Sequence, residues 1–139
     1  MRANKKDFYN LIHPHHQRTL KIKTSKAVIE ILTLNLRPGT RDKFHQLYLT
    51  ESLPLQRKWK IDVVAHGPSL HNETSYYAIR SFKSLEDRKE KEDAFYNSDD
   101  WQHGPRKAIL ALIEHMEDIV IPEETFMGWL AAIVLSSRK

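Results

Sequence analysis

Between positions 66 and 80 the chain places His66, Tyr76, Tyr77 and Arg80. A neutral imidazole accepts a proton, a phenol donates one, and a guanidinium holds an oxygen that gains charge. Such a set suits proton handling on a mainly apolar carbonyl or phenolic substrate. The same residue types on a strand serve equally as core residues with a satisfied polar tip, so placement decides between the two. His103, beside Gly104-Pro105, is a further candidate. His13, His15 and His16 invite a metal, but Pro14 keeps His13 and His15 off one regular helix face. No Gly-rich phosphate loop, Gly-x-Ser-x-Gly elbow or His-Glu-x-x-His helix occurs. The chain has no cysteine, which excludes thiol catalysis, disulfides and cysteine-ligated metal.

The stretch from Ala27 to Tyr48 sets the framework for these residues. Val28, Leu32, Leu34 and Leu36 fall on one face of an extended run, and Ile29, Ile31, Thr33 and Asn35 on the other. Two such faces fit a strand covered on both sides. Pro38-Gly39 breaks the run, and the spacing predicts a helix from Thr40 to Trp59, capped by the Thr40 hydroxyl. Pro54 predicts a kink or restart near Ser52. His45 reads as an exposed residue of that helix.

Ile61–Ser69 and Thr74–Phe82 read as two strands paired in a hairpin. Ser84 and Asp87 have capping-box spacing and open a helix over Leu85–Tyr96. Its mixed-sign charges predict a solvated face. Trp101, Pro105, Ala108, Ile109, Leu112, Ile113 and Met116 form a stripe of helical period whose first turn Gly104-Pro105 is placed to interrupt, and Glu117–Ile121 predicts a fourth strand. Phe126–Leu135 is an apolar tail expected to pack on the domain or on a partner subunit; a membrane-surface anchor would need a charged opposite face that it lacks.

A length of 139 residues suits one domain with a real core. The net charge of +4 belongs to the N-terminus: residues 1–26 hold seven basic residues and one acid, and the remainder 15 basic and 17 acidic. The body therefore offers no nucleic-acid surface. No apolar run approaches the roughly 20 residues that span a bilayer. The cysteine-free composition fits a reducing compartment such as the cytoplasm, while a basic, acid-poor leader fits an organellar transit peptide instead. The expected organisation is a basic extension over 1–26, a domain over 27–125 and an apolar tail over 126–139.

The order strand, helix, strand, strand, helix, strand is the split βαβ, ferredoxin-like arrangement: an α+β fold with a four-stranded antiparallel sheet. Helices cover one face of such a sheet, so the other needs a cover. A second subunit supplies it in a dimeric α/β barrel, and two-fold pairing is the commonest assembly.

Glu30-Ile31-Leu32-Thr33-Leu34-Asn35-Leu36-Arg37-Pro38-Gly39 resembles the first strand and turn of the NIPSNAP family, within the dimeric α/β-barrel superfamily. Phe82 to Arg88, then Trp101 after an acidic turn, then Met116-Glu117 and Ile121-Pro122, follow in the order that family shows. The resemblance implies a homodimer with a ligand cleft between the sheet and the helix of Trp101. Its candidate lining residues are Leu32, Leu34, His66, Tyr77, Arg80, Trp101 and His103. Where the family tends to carry Arg and Tyr, this chain has Leu32 and Leu34, so the cleft is greasier. Haem-degrading relatives use a first-strand Asn and a helical His ligand. Here Asn35 stands near the wrong end and Gly104-Pro105 takes the place of the histidine, so no cofactor is expected. The resemblance thus implies a homodimeric binding or assembly module holding at most a small apolar ligand. The alternative is a small cofactor-independent monooxygenase, isomerase or cyclase.

Overall fold

The computed structural model describes residues 26–137. The expectations for the basic leader and its histidines lie outside them. Strand β1 spans Val28–Leu36, and the Pro38-Gly39 turn closes with the Thr40 N–H donating to the Arg37 carbonyl at 3.2 Å. Gly39 sits at φ +78°, the left-handed region that disfavours any Cβ. Helix α1 covers Arg41–Leu47, and a π-helical turn over Tyr48–Ser52 joins it to α2, Leu53–Lys58. Pro54 is the cause. It lacks an N–H and its ring crowds the carbonyl four residues back, so the turn widens and the Leu53 N–H reaches Tyr48 O. Thr40 does not cap: its hydroxyl donates back to Arg37 O at 2.7 Å.

Strands β2 (Asp62–Pro68) and β3 (Ser75–Phe82) form the expected hairpin. Helix α3 covers Leu85–Tyr96, and Ser84 caps it by accepting the Asp87 N–H at 3.0 Å. The stripe from Trp101 to Met116, with its expected interruption at Gly104-Pro105, gives two short helices, α4 (Asp99–Gln102) and α5 (Arg106–Leu110). Gly104-Pro105 divides them; a Cβ at Gly104 would collide with the Asp100 carbonyl oxygen. The apolar stripe therefore ends at the helices, and Ile113 and Met116 belong to β4, Ile113–Pro122, which is longer than the predicted strand.

The sheet order is β2-β3-β1-β4 with every pair antiparallel. The register puts Glu30 beside Arg80 and Leu34 beside Tyr76, and Leu32 stands between Ala78 and Asp118. These residues face the helices. The core clusters there around Leu34, Leu36, Phe44, Tyr76, Phe95 and Trp101. The other face carries Ile31, Ile79, Tyr77 and Ile119, of which Tyr77 and Ile119 are 37% and 59% exposed. Helix α6 spans Glu123–Ser137, starts where the Glu123 N–H donates to Ala27 O, and buries no residue on its own domain.

Candidate functional site

A cavity of about 90 Å³ lies between the sheet and the helical layer. Leu32, Leu34 and Ala78 form its floor, and Phe44, Trp101, Ile109 and Ile113 its apolar sides. Leu110 and Met116, 40% and 51% exposed, mark its mouth. One wall is polar: Tyr48, Ser52, Gln56, Arg80 and Tyr96. The π-helical turn builds part of it by turning Tyr48 and Ser52 inward with Gln56, whose amide donates to Ser52 Oγ at 3.1 Å. Lys58 and the Trp59 indole N–H both reach Asp100 Oδ2, at 2.8 and 3.0 Å, and tie α2 to α4 above the cavity.

Arg80 is the hub of the polar wall. Its Nε donates to Glu30 Oε1 at 2.7 Å and its Nη1 to Gln56 Oε1 at 3.0 Å and to the Tyr96 oxygen at 2.9 Å. Its Nη2 reaches Glu92 Oε1 at 2.8 Å. Arg88 donates to the second oxygen of Glu30 at 2.6 Å and pairs with Asp118 at 2.8 Å. Among the described residues no buried side-chain polar atom lacks a partner. Removing one member of such a pair strands the other, a cost of about 3–5 kcal/mol.

The two carboxylates sit in one low-dielectric site and their proton affinities separate. Burial alone raises Glu30, but the hydrogen bond from Glu92 and the Arg80 and Arg88 guanidiniums outweigh it and hold Glu30 below its ordinary range. Glu92 is pushed up to about 8, by burial first and then by sharing a hydrogen bond with Glu30. Acids driven apart in this way occur both in structural ion-pair networks and at acid–base sites working near neutral pH.

Four of the residues expected in the cleft line it: Leu32, Leu34, Arg80 and Trp101. Three do not. Tyr77 alternates with Tyr76, so it points to the other sheet face and packs against Gly67. His103 ends α4 at the surface, 3.5 Å from Asp99. A register shift between Val63 and Ala65 turns His66 toward the helices, where its ring lies 5.0 Å behind that of Tyr48. There His66 Nδ1 and His45 Nδ1 bond the Tyr76 hydroxyl at 3.1 and 2.8 Å. His45 is thus half-buried, not exposed. Burial, with help from His45 and Arg57, lowers the His66 pKa, and burial raises that of Tyr76.

The polar residues missed by sequence reasoning are Glu30, Tyr48, Ser52, Gln56, Arg88, Glu92 and Tyr96. Glu30 is the one acid on a strand face otherwise made of Val28, Leu32, Leu34 and Leu36. Arg88, Glu92 and Tyr96 recur every four residues, a helix-face period hidden within the surrounding charges. That face of α3 is not solvated: the Glu92 side chain is 17% exposed and that of Arg88 23%.

The shifted pair sets a pH dependence. Between an ordinary carboxyl pKa of 4.5 and about 8, folded Glu92 keeps a proton that the unfolded chain has released. Its stabilising contribution is complete below the unfolded value and is lost as pH rises through about 8. Glu30 acts oppositely, its contribution being lost in acid as pH falls through its lowered pKa. Glu92 should therefore draw urea unfolding midpoints down between about pH 5 and about pH 8, against the rise that His66, with its lowered pKa, contributes around its ordinary value. Glu92→Gln should flatten that slope and leave the acid limb in place; an unchanged slope would show that Glu92 does not titrate there.

The sequence profile of the NIPSNAP family matches residues 29–125. No curated protein matches the chain in a sequence search. Among solved structures, a NIPSNAP-like domain protein from Burkholderia xenovorans is 20% identical, superposes with a TM-score of 0.66, and the match covers 70% of this chain and 85% of that one. A NIPSNAP family protein from Agrobacterium tumefaciens is 23% identical with a TM-score of 0.65, covering 71% of this chain and 89% of its own. A variant of SnoaB, a cofactor-independent oxygenase from Streptomyces nogalater, is 15% identical with a TM-score of 0.50, covering 69% and 91%. These likenesses establish the ferredoxin-like fold, and the profile match, over most of the chain and on the strand, turn and cleft described above, makes it a member of the NIPSNAP family.

Proposed function

We propose that the chain is a homodimeric binding module whose cleft holds a small, mainly apolar molecule. The observation that carries this is the cavity itself: apolar on most sides, with polar groups converging on one wall, as small-molecule sites are built. Its size sets the limit. An apolar cavity of about 150 Å³ admits benzene; this one encloses about 90 Å³ and adjoins a recess of about 220 Å³ along Leu32, Tyr96 and Met116, so a six-membered ring occupies both. The charges on the polar wall are already matched, so an anion gains little there. A neutral ligand oxygen facing Tyr96 fits better.

Support for the homodimer is the uncovered sheet face, where Ile31, Ile79, Tyr77 and Ile119 form an apolar surface of the kind a second subunit buries. The apolar α6, which buries nothing on its own domain, is proposed to lie against that partner. A second reading, a small cofactor-independent enzyme on an apolar carbonyl or phenolic substrate, draws on one observation: the carboxyl pair at the cavity's edge.

Light scattering at low micromolar concentration should give about twice the 16.4 kDa chain mass; a stable monomer would overturn the assembly. For the ligand, Trp59→Phe with Trp129→Phe leaves Trp101 as the single indole. Cyclohexanone should quench its fluorescence saturably, and Leu32→Phe, which fills the cleft, should abolish the effect. Quenching that stays linear in both proteins contradicts a site.

A further inference from the structure

We propose that Glu92, Tyr96 and Arg80 form an acid–base site at the cavity's edge that moves a proton between the α-carbon and a second atom of a small apolar ketone. The inference rests on the cleft holding such a ligand and adds its chemistry.

Three geometric facts carry it. First, Tyr96 and Glu92 are held on the two terminal nitrogens of one guanidinium, at 2.9 Å from Nη1 and 2.8 Å from Nη2. A planar fork fixes their separation and direction. Second, the Tyr96 oxygen accepts from Arg80, and no described residue accepts its hydrogen, so the O–H is left to donate toward the cavity that Tyr96 lines. Third, a recess of about 220 Å³ adjoins the cavity; Leu32, Arg80, Tyr96 and Met116 line both, and Glu30, Glu92, Glu117 and Asp118 also line the recess. A ketone with its ring on Leu32 and Leu34 and its oxygen on Tyr96 presents its α-carbon toward Glu92.

The step balances without any co-reactant. The Glu92 carboxylate takes the α-proton. The C–H pair becomes the enolate double bond, and the carbonyl π pair moves to oxygen, where the Tyr96 O–H holds it with the Arg80 charge behind. Glu92 then returns the proton to the enolate oxygen, giving the enol, or, where a β,γ double bond extends the enolate, to the γ-carbon. Glu30 is a positioning residue: it borders the recess, but its side chain is 1% exposed and its two oxygens are taken up by Arg80 and Arg88, which it holds in place. The charged and titratable groups facing Glu92 are Glu30 from β1, Arg80 from β3, Arg88 and Tyr96 from α3, and Glu117 and Asp118 from β4.

The test follows deuterium exchange at the α-carbons of cyclohexanone in heavy water by NMR, with binding read in parallel from Trp101 fluorescence. The wild-type chain should speed exchange over buffer, with a rate that rises with pH along one ionisation. Glu92→Gln should lower it about 100-fold at unchanged binding, and Tyr96→Phe about 10-fold or more. Glu92→Asp keeps the charge and should retain a fraction of the rate, which carries the test if Glu92→Gln fails to fold. Binding without exchange, or exchange equal in wild type, Glu92→Gln and Glu92→Asp, overturns the proposal and spares the binding site. Absence of binding overturns both.

Discussion

Arg80 lies between the sheet and the helices with its side chain 5% exposed. A guanidinium cannot shed its charge, and each of its donors needs an acceptor once water is gone. The surrounding architecture meets that demand from separate parts of the chain. β1 supplies Glu30, the segment after the π-helical turn supplies Gln56, and α3 supplies Glu92 and Tyr96. The pairings span up to 50 positions of sequence, so the network forms only when sheet and helices are assembled. The cost of failing to match a buried charge, several kcal/mol, gives the fold one register and one placement of α3. The cleft is a by-product of this arrangement: the polar cluster takes one side and leaves the apolar residues to line the rest.

Much of the fold was legible in the sequence for a physical reason. The Pro38-Gly39 turn, the Ser84 cap and the Pro54 interruption are local effects, written into a few adjacent residues, and each appears where the residues place it except for the Thr40 cap. The start of β4 was less legible, because the apolar spacing of Trp101 to Met116 continues past the Gly104-Pro105 break and into the strand. Period alone does not distinguish those cases.

The site was legible only in part. Leu32, Leu34, Arg80 and Trp101 line the cavity because strand alternation and the position of the second helical segment put them there. His66 depended on a register shift in β2 that no local signal announces, and Tyr77 fell to strict alternation with Tyr76. Glu92 and Tyr96 are hidden differently. A carboxylate in a run of alternating charges looks solvated until a long-range partner is known, and Arg80 is that partner. The greasier floor given by Leu32 and Leu34 argued against chemistry in the cleft. Yet polar groups from α3 and the π-helical turn restore a polar wall that the first strand lacks.

Glu30 and Glu92 form a buried pair with divided proton affinity around Arg80. Carbon NMR of the glutamate side-chain carboxyls, with Glu92→Gln and Glu30→Gln for assignment, reads this directly. The Glu92 carboxyl should titrate near pH 8, while Glu30 stays ionised to below the ordinary glutamate range. Two carboxyls titrating together near the ordinary value of 4.5 would contradict it.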